Sequence, residues 1–212
     1  ISQGAYTKAA WVKRNYGYQV VNNIVSGNVG HVFYAPQSQQ GRLSAGHNGD
    51  WNMVQDPDSI PEAVWTYVAV TYDPNIASGT LTLFTNGILV DQATGIEPPE
   101  ESSSTCIRSK KGNNVWYGSI DEVAIWNKAL EADEISEIGN NPNSMNATSD
   151  HGKYTSSANL QGYWKMNEGE GNLLSDASGN GNIGTIEFAL WKTCDECGCM
   201  DQTACNYDAS AT

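Results

Sequence analysis

The sequence has no long hydrophobic run and few basic residues. No apolar stretch approaches the roughly 18 residues that indicate a membrane-spanning helix, so we expect no insertion into a membrane. Eleven lysines and arginines stand against 24 acidic residues, which gives a formal net charge of -13. Nucleic acids and anionic membrane surfaces both attract basic side chains, so the charge argues against either partner. It is compatible with calcium binding and, more commonly, with solubility in salty water.

The sequence also lacks a signal-peptide pattern and opens with Ile1 rather than methionine. We therefore expect a processed or excised piece of a longer protein. A length of 212 residues leads us to expect one large β domain or two small ones.

Cysteine is scarce outside the C-terminal end, where four of the five cysteines fall within twelve residues: Cys194, Cys197, Cys199 and Cys205, with Cys106 apart. A zinc site usually takes four thiolate or imidazole ligands from two separated clusters, and no histidine lies nearby. A disulfide-stapled segment outside the cell is therefore the favoured interpretation, with zinc as the alternative. The odd count leaves one thiol free or paired beyond Thr212. Residues 193–212 have almost no large apolar side chains, so we assign them to a linker or repeat and residues 1–192 to the folded domain.

Short apolar segments broken by glycine and asparagine predict β-strands along most of the chain. Residues Val64–Asp73 and Asn114–Trp126 alternate, with Val68 and Val70, or Val123 and Ile125, on one face of each strand. Asn86-Gly87 lies between two apolar segments and predicts a type I′ hairpin. Many short strands with turn signals indicate an all-β fold, a two-sheet antiparallel jelly-roll sandwich.

One short helix is predicted within Ala129–Gly139, where Leu130, Ile135 and Ile138 share a face and Gly139 can end the helix. The residues that follow, 140–158, are polar and predict a long loop.

Several segments, in this order, resemble laminin-G-like, concanavalin A-like jelly-roll domains: AAWVKR, WTYVAVTYD, LTLFTNGILV and GSIDEVAIWNKALEADEI. A further family-like segment, GYWKMNEGEGNLLSDASGNGNIGTIEFALW, opens the domain in many members but follows the helix here. We expect it to complete the sheet; the alternative is the start of a second copy. The segment GCMDQTACNYDASAT resembles a short Cys-rich repeat of marine bacterial surface proteins.

The spacing in SDASGNGNIGTIE, residues 175–187, is close to the EF-hand calcium loop. An EF-hand needs a helix on each side, and the flanking residues are β-like and rich in glycine, so we reject it. The resemblance instead implies a structural calcium ion at the edge of the sandwich, with Asp121, Asp176, Asn180 and Asn182 as ligands. The alternative is a tight turn in which Asn and Asp side chains bond their own backbone and no metal is held.

Sugars are bound by aromatic faces together with planar amides and carboxylates. The loop around residues 46–56 offers His47, Asn48, Asp50 and Trp51 as candidate ligand-binding residues, with Asn52 beside them. Tyr34, Trp116 and Tyr117 could lie nearby. Most tryptophans of such a fold are in the core, as we expect for Trp11, Trp65 and Trp126, whereas Trp51 stands among polar residues and could be exposed.

Three functional classes follow from the resemblance. The first, a glucanase, would need an E-x-D-x-x-E strand with carboxylates on one face; Asp121 and Glu122 are adjacent, so we expect no enzyme. The second is an extracellular, calcium-stabilised adhesion or carbohydrate-binding module, with a glycan as partner, and is our expectation. The third is a structural module of a surface filament, sheath or phage appendage, whose partners would be neighbouring copies or domains.

Overall fold

A computed structural model describes residues 4–16, 22–27, 31–36, 40–108, 114–140, 145–187 and 189–191. The Cys-rich segment 193–212 and its expected disulfides or zinc lie outside the described residues. The boundary that we place at 192 therefore stays a prediction. Cys106 is described and is a free thiol.

The larger sheet has six antiparallel strands in the order β11-β10-β1-β6-β7-β8. Its strands are β1 (Tyr6–Arg14), β6 (Trp65–Asp73), β7 (Thr80–Thr85), β8 (Ile88–Thr94), β10 (Gly118–Trp126) and β11 (Leu160–Trp164). The smaller sheet has five antiparallel strands in the order β5-β4-β3-β2-β9. They are β2 (Asn23–Gly27), β3 (Val32–Tyr34), β4 (Arg42–His47), β5 (Asp50–Ser59) and β9 (Thr105–Ile107). A two-stranded ribbon follows, formed by β12 (Leu173–Leu174) and β13 (Gly184–Thr185).

Apolar side chains of the two sheets meet in one core. Val68, Val70, Val123 and Ile125 of the larger sheet pack there with residues of the smaller sheet such as Phe33. This is the face that the alternation of β6 and β10 predicts. The predicted all-β, two-sheet antiparallel jelly-roll sandwich is thus confirmed.

The outer face of the six-stranded sheet is buried as well. Trp11, Tyr67 and Trp126 on that face pack against Ile135 and Ile138 of helix α1 (Ala132–Gly139), and the whole forms a second core. The predicted long polar loop is only partly correct, because Met145, Ala147 and Tyr154 are buried in this second core.

The helix begins later than predicted, and Gly139 is its last residue rather than its cap. Glu131 is its N-cap, and Glu134 completes a capping box with it, so the first turn starts after Leu130. The C-cap is Asn140. Gly139 is needed for a different reason, since a Cβ there would lie 2.2 Å from the ring of Tyr67. In the described part of the chain, no helix has the length and apolar content to cross a membrane.

The family-like segment after the helix joins the larger sheet. Strand β11 pairs with β10, with Val123 opposite Trp164 and Ala124 opposite Tyr163. The side chains of Trp164 and Leu174 lie in the core between the sheets. This segment therefore completes the sheet, as we expected. Asn86 and Gly87 both have positive φ between β7 and β8, as the predicted type I′ turn requires.

Candidate functional site

The candidate ligand-binding residues lie together at the turn between β4 and β5. His47 pairs with Asp50, and Asn48 and Gly49 form the two-residue turn with positive φ. Trp51 is the second residue of β5. We call this turn, residues 46–52, the β4–β5 hairpin.

A large bulge in β5 shapes the hairpin. Ala45 pairs with Val54 and His47 pairs with Asp50, so Gly46 alone faces the three residues between them. A Cβ on Gly46 would lie 2.2 Å from the carbonyl oxygen of Asp50. The absent side chain therefore lets the backbone of β5 cross over β4. Bulges of this kind can redirect side chains, and Trp51 and Asn52 lie within this one.

The segment that leads to β9, at the opposite edge of the smaller sheet, is hydrogen-bonded to the hairpin. Asn48 donates from Nδ2 to the carbonyl oxygen of Pro98 (2.9 Å), and its Oδ1 accepts from the N–H of Glu100 (2.9 Å). His47 contacts the carbonyl oxygen of Glu97 through Nε2 (2.9 Å). We call residues 95–104, which link β8 to β9, the strap.

His47 points inward. It is fully buried, and its ring meets the ring of Tyr72 edge to face with centroids 5.2 Å apart. A ligand on the surface of the hairpin would not reach this ring. The interpretation of His47 as a glycan contact is therefore not supported, and its role is to hold the strap.

The outward-facing groups of the hairpin are polar, with one aromatic side chain beside them. Asp50 and Asn52 are exposed, and Trp51 is half-buried, neither core nor fully exposed. Tyr34 donates its hydroxyl to Oδ1 of Asn52 (2.5 Å), which orients the Asn52 amide with its N–H groups free to face a ligand. Oδ1 of Asp50 accepts from the N–H of Asn52 (3.3 Å).

Strand pairing adds residues that the sequence could not group. Asn23, Tyr34, Ser44 and Gln55 pair successively across β2, β3, β4 and β5, and all but the half-buried Gln55 are buried. Gln55 donates to the hydroxyl of Ser44 (2.9 Å). Trp116 is fully buried and cannot reach a ligand, and the N–H of Tyr117 bonds Oδ1 of Asn22, the residue that precedes β2.

A polar cluster lies inside the sandwich beneath the strap. It contains Lys8, whose ammonium group is 5.4 Å from the centre of the Tyr6 ring, together with His31, His47 and Tyr72. Burial lowers the pKa of Lys8 to about 7 and, with help from the nearby Lys8 charge, lowers that of His31 to about 3. The two histidines contact strap carbonyl oxygens through Nε2, and their buried Nδ1 atoms have no hydrogen-bond partner.

The expected calcium loop holds the free edge of β11. Oδ1 of Asp176 accepts from the N–H groups of Tyr163 (3.0 Å) and Ser178 (2.9 Å), and Oδ2 accepts from the N–H of Asn182 (2.8 Å). Burial raises the pKa of Asp176, but these bonds outweigh it and hold the pKa below its ordinary value.

The two asparagines of the loop cover the same edge. Asn180 donates from Nδ2 to the carbonyl oxygens of Leu160 (2.9 Å) and Gln161 (3.1 Å), and Asn182 donates to that of Gln161 (2.7 Å). These bonds satisfy backbone groups that an edge strand would otherwise expose. Strand β12 precedes the loop, strand β13 lies within it, and no described residue beside it is helical, in agreement with the rejection of an EF-hand.

Asp121, the fourth expected ligand, lies on β10 opposite Trp11. Burial raises its pKa to about 6, against the effect of the hydrogen bond from the N–H of Glu122. Within the described residues, no hydrogen bond joins Asp121 to the loop of Asp176, and no three His, Cys, Asp or Glu side chains form a group suited to a metal. The structure thus brings three of the four expected ligands together, and the calcium site stays a prediction.

Comparison with known families matches residues 1–136 to the model described as the concanavalin A-like lectin/glucanases superfamily. The matched residues cover more than half of the chain and include every strand of the two large sheets except β11. The chain belongs to this superfamily. The resemblance seen in the sequence motifs is confirmed, while the Cys-rich repeat stays a prediction. No curated protein matches the chain.

Several solved structures have a similar fold. One is a Bacteroides ovatus protein assigned as carbohydrate-binding (19% identity, TM-score 0.68), with 87% of this chain and 52% of that chain covered. A second is domain 4 of the extracellular arabinanase AbnA from Geobacillus stearothermophilus (20% identity, TM-score 0.50), with 65% and 67% covered. A third is the sialidase module CBM40 of Ruminococcus gnavus (16% identity, TM-score 0.50), with 64% and 83% covered. The chain spans about half the length of the Bacteroides ovatus protein. At these identities the likeness shows the fold alone.

Proposed function

We propose that this chain is a non-catalytic, extracellular carbohydrate-binding module that contacts its glycan through the β4–β5 hairpin. The observation that carries the proposal is the bulge opposite Gly46, where Trp51 is half-buried and its two neighbours in β5, Asp50 and Asn52, are exposed. An indole face suits the apolar side of a pyranose, and the carboxylate and amide suit its hydroxyl groups.

The structural relatives support the proposal. The arabinanase domain was solved with arabinotriose, and the sialidase module with sialyllactose. These proteins show that the sandwich can present a sugar-binding surface. The specific residues are argued here from the hairpin itself, because one fold hosts many functions.

The adjacent acidic side chains of β10, Asp121 and Glu122, do not form a glycosidase pair. Glu122 is buried, and its carboxyl group contacts the hydroxyl of Tyr163, which also contacts the carbonyl oxygen of Met145. A glycosidase needs two carboxyl groups that flank one bond of a bound sugar. A buried Glu122 cannot serve this purpose, so the proposed role is binding.

A structural calcium ion remains part of the proposal. Asp176, Asn180, Asn182 and, on β10, Asp121 would supply the carboxylate and amide oxygens that calcium prefers. The nearby loop carbonyls could complete its coordination. The ion would add to the stability of the folded domain through its preference for the native state.

The test is glycan binding by the wild type and by Trp51→Ala, measured on immobilised neutral and acidic polysaccharides. The matched control is Tyr16→Ala. Tyr16 is also aromatic, is 71% exposed, and lies two residues beyond the C-terminal end of β1, outside the hairpin. We expect Trp51→Ala to lose binding about tenfold or more, with its melting temperature nearly unchanged, and Tyr16→Ala to bind normally. Equal binding by all three proteins would contradict the assignment to the hairpin.

A structural module is the second candidate, since the β12–β13 ribbon exposes apolar side chains. Leu173 and Ile183 are more than half exposed on the ribbon, and Leu190 beyond it is 95% exposed. Exposed apolar groups close together indicate protein contacts. If the domain binds no glycan, a concentration-dependent association that Leu173→Ser with Ile183→Ser abolishes would favour this role.

A further inference from the structure

We infer that the hairpin selects neutral oligosaccharides and rejects glycans that carry carboxylates; this inference rests on the proposed function. The two sugar complexes among the relatives differ in this property, because arabinotriose is neutral and sialyllactose carries a carboxylate. The relatives therefore leave the charge of the ligand open, and the residues of this chain decide it.

The first argument is the charge of the segment that builds the surface. Between Arg42 and Arg108 the sequence contains no lysine or arginine. The same segment contains nine acidic residues: Asp50, Asp56, Asp58, Glu62, Asp73, Asp91, Glu97, Glu100 and Glu101. It provides nearly all of β4, the whole of β5 and the strap. A surface built from this segment has a negative potential and no cation of its own to pair with a sugar carboxylate.

Two described cations of neighbouring strands, Lys8 of β1 and Arg42 of β4, do not change this conclusion. Lys8 is 1% exposed and its ammonium group bonds the carbonyl oxygen of His31 inside the sandwich. Arg42 is at the far end of β4, five residues from His47, or about 16 Å along a strand. Burial lowers the pKa of His47, so that this side chain stays neutral.

The second argument is the chemistry of the groups that face outward. Oδ1 of Asn52 is occupied by the hydroxyl of Tyr34, which leaves the amide N–H groups of Asn52 as donors. Both amide ends of Asn48 are bonded to the strap. Asp50 is exposed, and a carboxylate only accepts hydrogen bonds.

A sugar hydroxyl complements both groups, because it can donate to Asp50 and accept from Asn52. A sugar carboxylate only accepts, so it could bond Asn52 but would lie against the Asp50 carboxylate. Two like charges this close repel, and the neighbouring acidic residues add to the repulsion. The hairpin therefore fits a neutral sugar with adjacent free hydroxyls.

The experiment compares matched neutral and acidic glycans by calorimetry, first in buffer with calcium and then with a chelator, which removes any bridging cation. The pairs are lactose with α2,3-sialyllactose, and methyl-esterified with unesterified oligogalacturonate; arabinotriose serves as a further neutral probe. For each neutral glycan that binds, we expect a dissociation constant about tenfold or more below that of its acidic counterpart. Salt should strengthen binding of the acidic member and leave the neutral member unchanged, because it screens repulsion.

Asp50→Asn should reduce this preference, whereas the matched control Glu187→Gln, an exposed acid outside the segment, should not. An acidic glycan that binds as tightly as its neutral counterpart would overturn the inference and leave the proposed function standing. So would a preference that Asp50→Asn does not change. If no glycan of either kind binds, the proposed function itself fails.

Discussion

Lys8 lies inside the sandwich with its ammonium group 2.5 Å from the carbonyl oxygen of His31. It is 1% exposed, and within the described residues no carboxylate forms an ion pair with it. Burying a charge without an opposite charge is costly, and its pKa is lowered to about 7 for that reason. The buried charge of Lys8, beneath the strap and the hairpin, therefore lowers the stability of the folded domain.

Replacing Lys8 by methionine should stabilise the domain by about 1–4 kcal/mol below pH 7, because a similar apolar chain removes the buried charge. The lysine pKa is lower in the folded state, so the unfolded chain binds more protons between pH 7 and about 10.5. Stability of the wild type should therefore rise with pH across that range, and the advantage of Lys8→Met should shrink. Urea unfolding at a series of pH values measures both effects.

The matched control is Lys153→Met, since Lys153 forms only an exposed ion pair with Asp133 and should change stability little. A Lys8→Met variant that is less stable than the wild type at pH 6 would contradict the prediction. It would mean that the bond to His31 contributes more than the charge costs.

Acid should destabilise the domain through His31. Its pKa is lowered to about 3 by burial and then by Lys8, whereas an unfolded histidine titrates near 6.5. The unfolded chain binds the extra proton first, so stability is lost as the pH falls from about 6.5 towards 3. His31→Gln should flatten this part of the stability curve, and His151→Gln should not. An unchanged slope in His31→Gln would contradict the assignment.

Gly46→Ala should disrupt the hairpin. The new Cβ would lie 2.2 Å from the Asp50 carbonyl oxygen and 2.8 Å from the carbonyl carbon of Trp51, so the backbone of β5 must move. We expect a loss of about 1–3 kcal/mol in stability and a loss of glycan binding. The control Gly49→Ala meets no atom within 4 Å and carries only the strain of its φ of +91°. Glycan binding retained in Gly46→Ala would show that the bulge does not shape the site.

Asp176→Ala should lower stability by about 1–3 kcal/mol. The Asp176 carboxylate accepts hydrogen bonds from three backbone N–H groups, and the variant would leave these groups without an acceptor. This loss should appear with chelator as well as with calcium. If the loop also binds calcium, chelator should lower the melting temperature of the wild type and have no further effect on Asp176→Ala or Asp121→Ala. A wild-type melting temperature that chelator leaves unchanged would contradict the calcium site.

Much of the fold could be predicted from local pattern. Alternation placed Val68 and Val70 on one face of β6, and Asn86-Gly87 identified a turn, because both signals depend only on neighbours in sequence. The start of the helix was predicted three residues too early, since the capping box of Glu131 and Glu134 competes with the apolar spacing. The polar loop was misjudged at Tyr154, whose hydroxyl accepts from Trp126 in the second core.

The sequence by itself determined the class of fold, the acidic surface and the grouping of Asn48, Asp50 and Trp51, because these follow from composition and from neighbours at one turn. Only the tertiary structure decided which of those side chains face outward. The ring of His47 turns inward because it meets Tyr72 and the strap, both distant in sequence. The loop of Asp176 is likewise hydrogen-bonded to β11, and these bonds form only when β11 joins the sheet. Burial and hydrogen bonding between distant segments, rather than local spacing, therefore determine which polar groups remain available to a ligand.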